Sequence, residues 1–355
     1  MAILDEKMVG RIVEKMVNHK YIFSAVLRVE NHDGSVSLNA AAGEMSGDDR
    51  YYIASVTKLY ITALVLQLMD QKKLKLGDRI GKYLPVELIS GLHVFKGVDY
   101  TDEITIKHLI SNTSGIPDYF FHRQPDGKTA ASGLLEGKDE PWPLEKTIGL
   151  VKNLTPKFSP GQKGKADYSD TNYQLLGRII ETITGQSIHE AFSEYIFKPL
   201  GLQETYVYKD INDASPAPIY YKSRKLQIPQ YMTSVSPEGG IVSTTAESMI
   251  FLKAFFGGRF FPQAYINELK EWNFIFGPGM FYYGIGLEKL FVPRIMTPFN
   301  PPGEILGFWG QTGSFAFFNP RSGLYFSGTT NQIGGAGHQA AGKAMFRLIK
   351  HKLKR

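Results

Sequence analysis

The apolar positions of this 355-residue chain change period several times, and each change marks a different element. Tyr21 to Val29 and Ser35 to Ala42 are β-rich runs separated by Asn31-His32-Asp33-Gly34. Asp-Gly is a strong turn signal, so the two runs predict an antiparallel hairpin. From Leu59 to Met69 only Thr62 and Gln67 interrupt an apolar run. A helix that is apolar nearly all round belongs inside the protein. Thr171 to Thr184 carries Tyr173, Leu176, Ile180 and Ile183 on one stripe and is followed by Gly185, the residue suited to a left-handed helix end. Ser187-Ile188-His189-Glu190 then has the form of a capping box opening another helix.

Between Ser55 and about Gly201 the pattern is mostly helical, with loops at Pro125-Asp126-Gly127, Pro141-Trp142-Pro143 and Ser159-Pro160-Gly161. Strand-like runs return at Gly240 to Ser243 and Tyr282 to Leu287. Ser314 to Phe318 and Leu324 to Gly328 predict a second hairpin, turned at Asn319 to Gly323. Strands toward both ends with helices between them imply an α/β protein whose sheet lobe is built from 1–75 and 202–355, with a mainly helical lobe, 76–201, inserted into it. The interface of the lobes is the expected place for an active site. No repeat or low-complexity segment is present.

Met1 to Lys20 reads as an amphipathic helix through Ile3, Met8, Ile12 and Met16 and lacks the basic stretch and apolar core of a signal peptide, so the expected compartment is the cytoplasm. Leu59 to Met69 is too short to span a bilayer. With 43% apolar and 21% charged residues the chain can bury a large core. It has no cysteine, which excludes disulfides, thiolate metal sites and a thiol nucleophile. The net charge of +6 is spread along the chain and concentrates only at Lys350, Lys352, Lys354 and Arg355. That tail continues a helix with Ala344, Phe346, Leu348 and Ile349, so it reads as a solvated helix face, and no nucleic-acid partner is expected.

The chemistry begins at Ser55-Val56-Thr57-Lys58, where the long apolar helix opens. A separation of three on a helix puts a hydroxyl and an ammonium on one face. Serine needs a neighbour to take its proton before it can attack a carbonyl, and a desolvated lysine can serve. The unpaired N–H groups of a helix start can also stabilise an oxyanion.

Two further motifs follow, Tyr168-Ser169-Asp170 and Gln311-Thr312-Gly313. In order and approximate spacing the three resemble the active-site motifs of the penicillin-recognising serine hydrolases, the β-lactamase and penicillin-binding-protein superfamily. The tyrosine in the second motif is similar to that of the class C β-lactamase-like branch, which includes carboxylesterases and D-alanyl-D-alanine carboxypeptidases. His108 to Pro117, Phe158 to Gly161, Tyr168 to Gly177 and Gly239 to Thr244 resemble the same branch. The resemblance implies a β-lactamase/transpeptidase-like fold, an antiparallel sheet flanked by helices. It implies Ser55 as the acylated nucleophile, Lys58 as the group sharing its proton and Tyr168 as the relay to the leaving group. The backbone N–H groups of Ser55 and Ser314 are implied as oxyanion donors, with Gln311, Thr312, Gly313 and Asp170 beside the substrate. The implied substrate is a small ester, amide or β-lactam, with no cofactor and no metal.

Two positions depart from the pattern. Asp170 stands where an asparagine is common; it either contacts Lys58, favouring the ammonium form, or caps the Thr171 helix. Gln311 stands where β-lactamases have lysine, and a neutral amide supplies no charge for a substrate carboxylate. The expectation is therefore a carboxylesterase-type enzyme with weak β-lactamase activity. A D-peptidase, a true class C-like β-lactamase and a non-catalytic module on the same fold are the alternatives. Tyr119, Phe120, Phe121, Tyr282, Tyr283, Phe308 and Trp309 lie near the motifs and are candidates to line an apolar acyl pocket. No Gly-x-Ser-x-Gly elbow, paired zinc histidines or phosphate loop competes with this reading.

Overall fold

In the computed structural model, described here for residues 4–18, 20–276, 281–292 and 301–353, an eight-stranded antiparallel sheet carries the molecule. Its strands come from both ends of the chain. In spatial order they are Asn273–Phe276, Phe281–Tyr283, Glu288–Leu290, Ile305–Trp309, Phe315–Asn319, Leu324–Thr329, Ser24–Asn31 and Ser37–Gly43. The first predicted hairpin forms with Val29 opposite Leu38, and the second with Phe317 opposite Phe326.

Alternation along these strands sorts side chains to two cores, as the period-two geometry of a strand requires. Ala25, Leu27, Val29, Phe315, Phe317, Leu324 and Phe326 point to one face. There they meet the N-terminal helix Glu6–Glu14 and the C-terminal helix Gly335–Leu353. Asp5 caps the first of these by accepting the Met8 N–H at 2.7 Å. The C-terminal helix buries Ala344, Leu348 and Ile349, with Phe346 partly covered and Lys350 exposed. Ile3, Lys354 and Arg355 lie outside the described residues.

Val26, Ala316 and Tyr325 point to the other face, into the larger core. That core is organised by the helix Thr57–Asp70, buried almost throughout as its apolar pattern demands. Further helices pack around it, among them Asp170–Thr184, which ends at Gly185 in the left-handed conformation, and Thr245–Phe256, which buries Met249, Phe251, Leu252 and Phe255. The Ser187/Glu190 capping box is present in full.

One strand reading fails. Tyr282 to Leu287 is not a single strand: Phe281–Tyr283 and Glu288–Leu290 pair with each other, and the chain reverses between them. Gly286 takes φ of 64° at that turn, a conformation glycine permits and β-branched residues resist. Among the described residues no helix is long and apolar enough to cross a membrane.

Candidate active site

Ser55 sits in the 3-10 turn Ala54–Val56, immediately before the helix Thr57–Asp70. Ala54 takes a positive φ of 46°, a conformation that costs a non-glycine residue roughly 1–3 kcal/mol and recurs at functional turns. The first N–H groups of such a turn have no partner within the helix, so Ser55 occupies an electropositive end.

Two donors converge on its hydroxyl. Lys58 Nζ lies 3.0 Å from Ser55 Oγ, and the Tyr168 hydroxyl donates to the same oxygen at 2.8 Å. Lys58 is 0% exposed and also donates to Asp170 Oδ1 at 2.6 Å and to the Glu238 carbonyl at 2.9 Å. Of the two readings of Asp170, the contact with Lys58 is the one realised. The cap position of its helix belongs to Ser169, which makes no side-chain capping bond.

The His108–Pro117 segment fixes Tyr168. Asn112, at φ of 57°, accepts the Ser169 N–H at 3.2 Å and a bond from the Asn172 amide at 2.9 Å. Its carbonyl accepts the Asp167 N–H. The Tyr168 phenol is thus held from both sides of its own segment. Burial pushes its acidity well below that of a free phenol, and the nearby Asp170 and Glu288 carboxyls push the same way. A neutral hydroxyl is favoured there, suited to shuttling a proton rather than standing as phenolate.

The third motif lies just before the strand Phe315–Asn319, which starts one residue later than the sequence suggests. Ser314 was expected to open a strand, but the ladder closes at Trp309 opposite Phe315. Gly310 to Ser314 therefore forms the intervening turn, with the Gly310 N–H on the Ser314 carbonyl at 2.8 Å and the Gly313 N–H on the Gly310 carbonyl at 2.9 Å. Gly313 has φ of 82°, and a Cβ there would come within 2.2 Å of Thr330 Oγ1. Gln311 and Thr312 line the cavity at Ser55, whereas Gly313 and Ser314 are not among its lining residues. The Thr312 hydroxyl donates to the Tyr52 carbonyl at 2.8 Å and that of Ser314 to the Ile53 carbonyl at 2.6 Å. These bonds tie the turn to the two residues that precede Ala54.

Several ionisable side chains that line the cavity went unnoticed in the sequence, among them Asp118, Glu238, Glu288 and His338. Asp118 accepts from the N–H groups of Phe120, Phe121 and Asp170. The Glu238 carboxyl accepts from the Tyr119 hydroxyl and, at 3.4 Å, from the Gln174 amide. Burial, reinforced by the Asp170 carboxyl, raises both acids well above the usual carboxylate range. Glu288 accepts the Trp309 N–H at 3.0 Å and is pushed by burial up to about 8. His338 Nε2 meets the Gly310 carbonyl at 2.8 Å, and burial lowers its basicity. Position beside the quoted motifs was the only signal for Asp118 and Glu238; Glu288 and His338 had none.

The aromatic expectation divides. Phe120, Phe121 and Trp309 line the cavity. Tyr119 and Tyr283 are buried as hydrogen-bonding supports, the latter 2.6 Å from the Tyr173 hydroxyl. Phe308 is in the core, and Tyr282 packs edge-on to Phe274 and Phe291, away from the cavity. Among the described residues no group of three or more His, Cys, Asp or Glu side chains has the arrangement of a metal site.

A serine hydroxyl with a buried lysine and a tyrosine within hydrogen-bond reach has the neighbours that a nucleophile needs for proton transfer. The chain belongs to the Beta-lactamase family, whose model matches residues 10–348, and the expected β-lactamase/transpeptidase-like α/β fold is the observed one. A solved D-stereospecific amidohydrolase from Streptomyces sp. superposes with a TM-score of 0.80 and 26% identity, covering 97% of this chain and 99% of that one. The D-amino acid amidase of Ochrobactrum anthropi SV3 shares the fold, with a TM-score of 0.76 and 21% identity over 97% of this chain and 99% of that one. In sequence the chain is 35% identical over 177 residues to the Escherichia coli (strain K12) protein named "Putative D-alanyl-D-alanine carboxypeptidase". That match covers 50% of this chain and 38% of the relative's length.

Proposed function

We propose that this protein hydrolyses uncharged esters or amides through an acyl-enzyme on Ser55. The observation that carries the reading is the convergence of Lys58 and Tyr168 on Ser55 Oγ at 3.0 and 2.8 Å. Ser55 Oγ attacks the substrate carbonyl carbon as its proton passes to Lys58, and the lysine's own proton shifts along the short contact to Asp170. The collapsing tetrahedral intermediate expels the alcohol or amine, which takes a proton from Tyr168, while Lys58 returns a proton to Tyr168 and recovers its own from Asp170. Water then repeats the sequence on the acyl-enzyme and restores Ser55. The Ser55 N–H at the turn start and the backbone of the Gly310–Ser314 turn are the candidate stabilisers of the oxyanion.

The cavity lining contains no lysine or arginine among the described residues, while five of its side chains are carboxyls: Asp118, Asp167, Asp170, Glu238 and Glu288. Gln311 adds no charge. A substrate carboxylate therefore meets acids where a β-lactamase offers a cation, which favours neutral esters and amides over β-lactams and peptide C-termini. The amidohydrolase and carboxypeptidase names of the relatives support amide as well as ester cleavage.

The test is a parallel assay with nitrophenyl esters, D-amino-acid amides and nitrocefin, together with mass spectrometry after a fluorophosphonate probe. Neutral substrates are turned over, the probe's mass appears on Ser55, and both vanish in Ser55→Ala. Labelling of a different serine with activity intact in Ser55→Ala overturns the assignment.

A further inference from the structure

The cavity above Ser55, about 480 Å³ in volume, is larger than a two-carbon acyl group needs, and its walls differ in character. On one side stand Tyr168, whose ring meets that of Tyr283 edge-on at 6.1 Å, and the Glu288 carboxyl, with Ile275 and Phe281 on the adjoining strands. The other side is continuous with Gly239, which packs beside Ala54. It is built from Phe120, Leu134, Ile228, Tyr231, Met232 and Val235. Three segments distant in sequence make this second wall: the loop after Pro117, the helix Ala130–Glu136 and the helix Pro229–Ser234. They are locked together by the stacking of Phe120 on Tyr231 at 5.4 Å and by the Ala131 N–H on the Phe120 carbonyl at 3.0 Å.

Several polar groups facing the cavity are occupied within the protein, although Glu238 Oε2 has no hydrogen-bond partner among the described residues. Asp118 is taken by three backbone N–H groups, Glu288 by the Trp309 N–H, and Asp167 by Lys157 at 2.8 Å and His122 at 3.1 Å. A polar substrate group entering here loses its water and finds few partners, whereas an apolar one loses nothing. A partly open, mostly apolar cavity with a few placed polar groups is the form of a pocket for a hydrophobic ligand.

We propose that this wall is an acyl pocket and that the enzyme's substrates carry a bulky hydrophobic acyl group, a medium-length alkyl or an aromatic chain. The inference rests on the serine-hydrolase reading above and deepens it by assigning the two halves of the substrate. Tyr168 must protonate the departing oxygen or nitrogen, so the leaving group exits on its side, and the acyl chain retained on Ser55 extends to the apolar wall. In the acylation step the bond from Ser55 Oγ to the acyl carbon forms as the Ser55 proton passes to Lys58, the acyl carbon–oxygen bond breaks, and the alcohol leaves carrying a proton from Tyr168 that Lys58 replaces.

The experiment compares kcat/KM for nitrophenyl acetate, butanoate, hexanoate and octanoate, each below its micellar concentration. A second series of acetate esters of ethanol, hexanol and octanol varies only the leaving group. In the first series kcat/KM rises about fourfold for each methylene that the wall covers; in the second it stays nearly level. Leu134→Trp fills the pocket and lowers the octanoate-to-acetate ratio at least tenfold. Leu134→Ala, which opens the pocket and guards against a misfolded tryptophan variant, leaves that ratio equal or higher. Fastest turnover of acetate, or selectivity that follows the alcohol, overturns the acyl pocket while the serine-hydrolase reading stands. Failure of every ester, with no fluorophosphonate mass on Ser55, removes both.

Discussion

Glu288 gives the electrostatics of the site a direct test, because its protonation is set by burial and one replacement removes the charge without removing the hydrogen bond. The carboxyl is 8% exposed and accepts the Trp309 N–H at 3.0 Å. Burial raises it from an ordinary value of 4.5 to about 8, against the opposing pull of that N–H and of Lys58. The native state therefore holds this proton more tightly than the unfolded chain does. Its stabilising contribution is complete below about pH 4.5 and is lost as the pH climbs through about 8. At about 1.36 kcal/mol per unit, a rise of roughly 3.5 units sets an upper bound of about 5 kcal/mol. Glu288→Gln keeps an acceptor for the Trp309 N–H and cannot ionise. Urea unfolding of both proteins at pH 5, 6, 7 and 8 reads the difference, and Asp118 and Glu238, also raised by burial, act in both and largely cancel. The two stabilities should agree near pH 5 and diverge by about 2 kcal/mol or more in favour of Glu288→Gln by pH 8. Parallel curves across that range refute the claim that Glu288 is a buried neutral acid.

Other consequences concern the proton path and the substrate. Lys58→Ala and Tyr168→Phe should each lower kcat by roughly 10²–10⁴ without unfolding the protein. In the double variant the losses should not multiply, because both groups serve one path, and a fully multiplicative loss indicates independent roles. Asp170→Leu strands the buried Lys58 ammonium and should destabilise by about 3–5 kcal/mol in chemical denaturation; Lys58→Met with Asp170→Leu should recover much of this, since the charges leave together. If the paired replacement costs the sum of the two single ones, the 2.6 Å contact is not an energetically coupled pair. Gln311→Lys should raise kcat/KM for carboxylate-bearing substrates by about tenfold or more, an effect that salt weakens. No change with nitrocefin means that Gln311 does not face the substrate carboxylate.

Much of the candidate site was legible because its groups lie in short motifs. Ser55 and Lys58 are three residues apart, and helical geometry alone brings them to one face. Tyr168 could be picked out only by resemblance, since nothing local says that residue 168 returns to residue 55. Asp170 remained ambiguous in the sequence because carboxylates serve equally as caps and as ion partners; the nearby buried ammonium of Lys58 decides between them. The third motif shows the opposite case. Gln311, Thr312 and Gly313 were found by pattern, but whether they lie on a strand or in a turn depends on where the ladder between Ile305–Trp309 and Phe315–Asn319 closes.

The chain by itself determined its elements and the pairing that opens its candidate site: the buried helix after Ser55, the two hairpins, the left-handed stop at Gly185 and the placing of Ser55 and Lys58 on one face. These follow from periodicity, turn chemistry and local spacing, which act between neighbours in sequence. Only the tertiary structure decided that Asp118, Glu238 and Glu288 surround one lysine, that Tyr168 points at Ser55, and that Phe120, Leu134 and Met232 form one wall. The reason is physical. Desolvation and proximity are properties of what the whole fold packs around a group, and residues as far apart as Lys58 and Glu238 acquire them only when the sheet and helices close together.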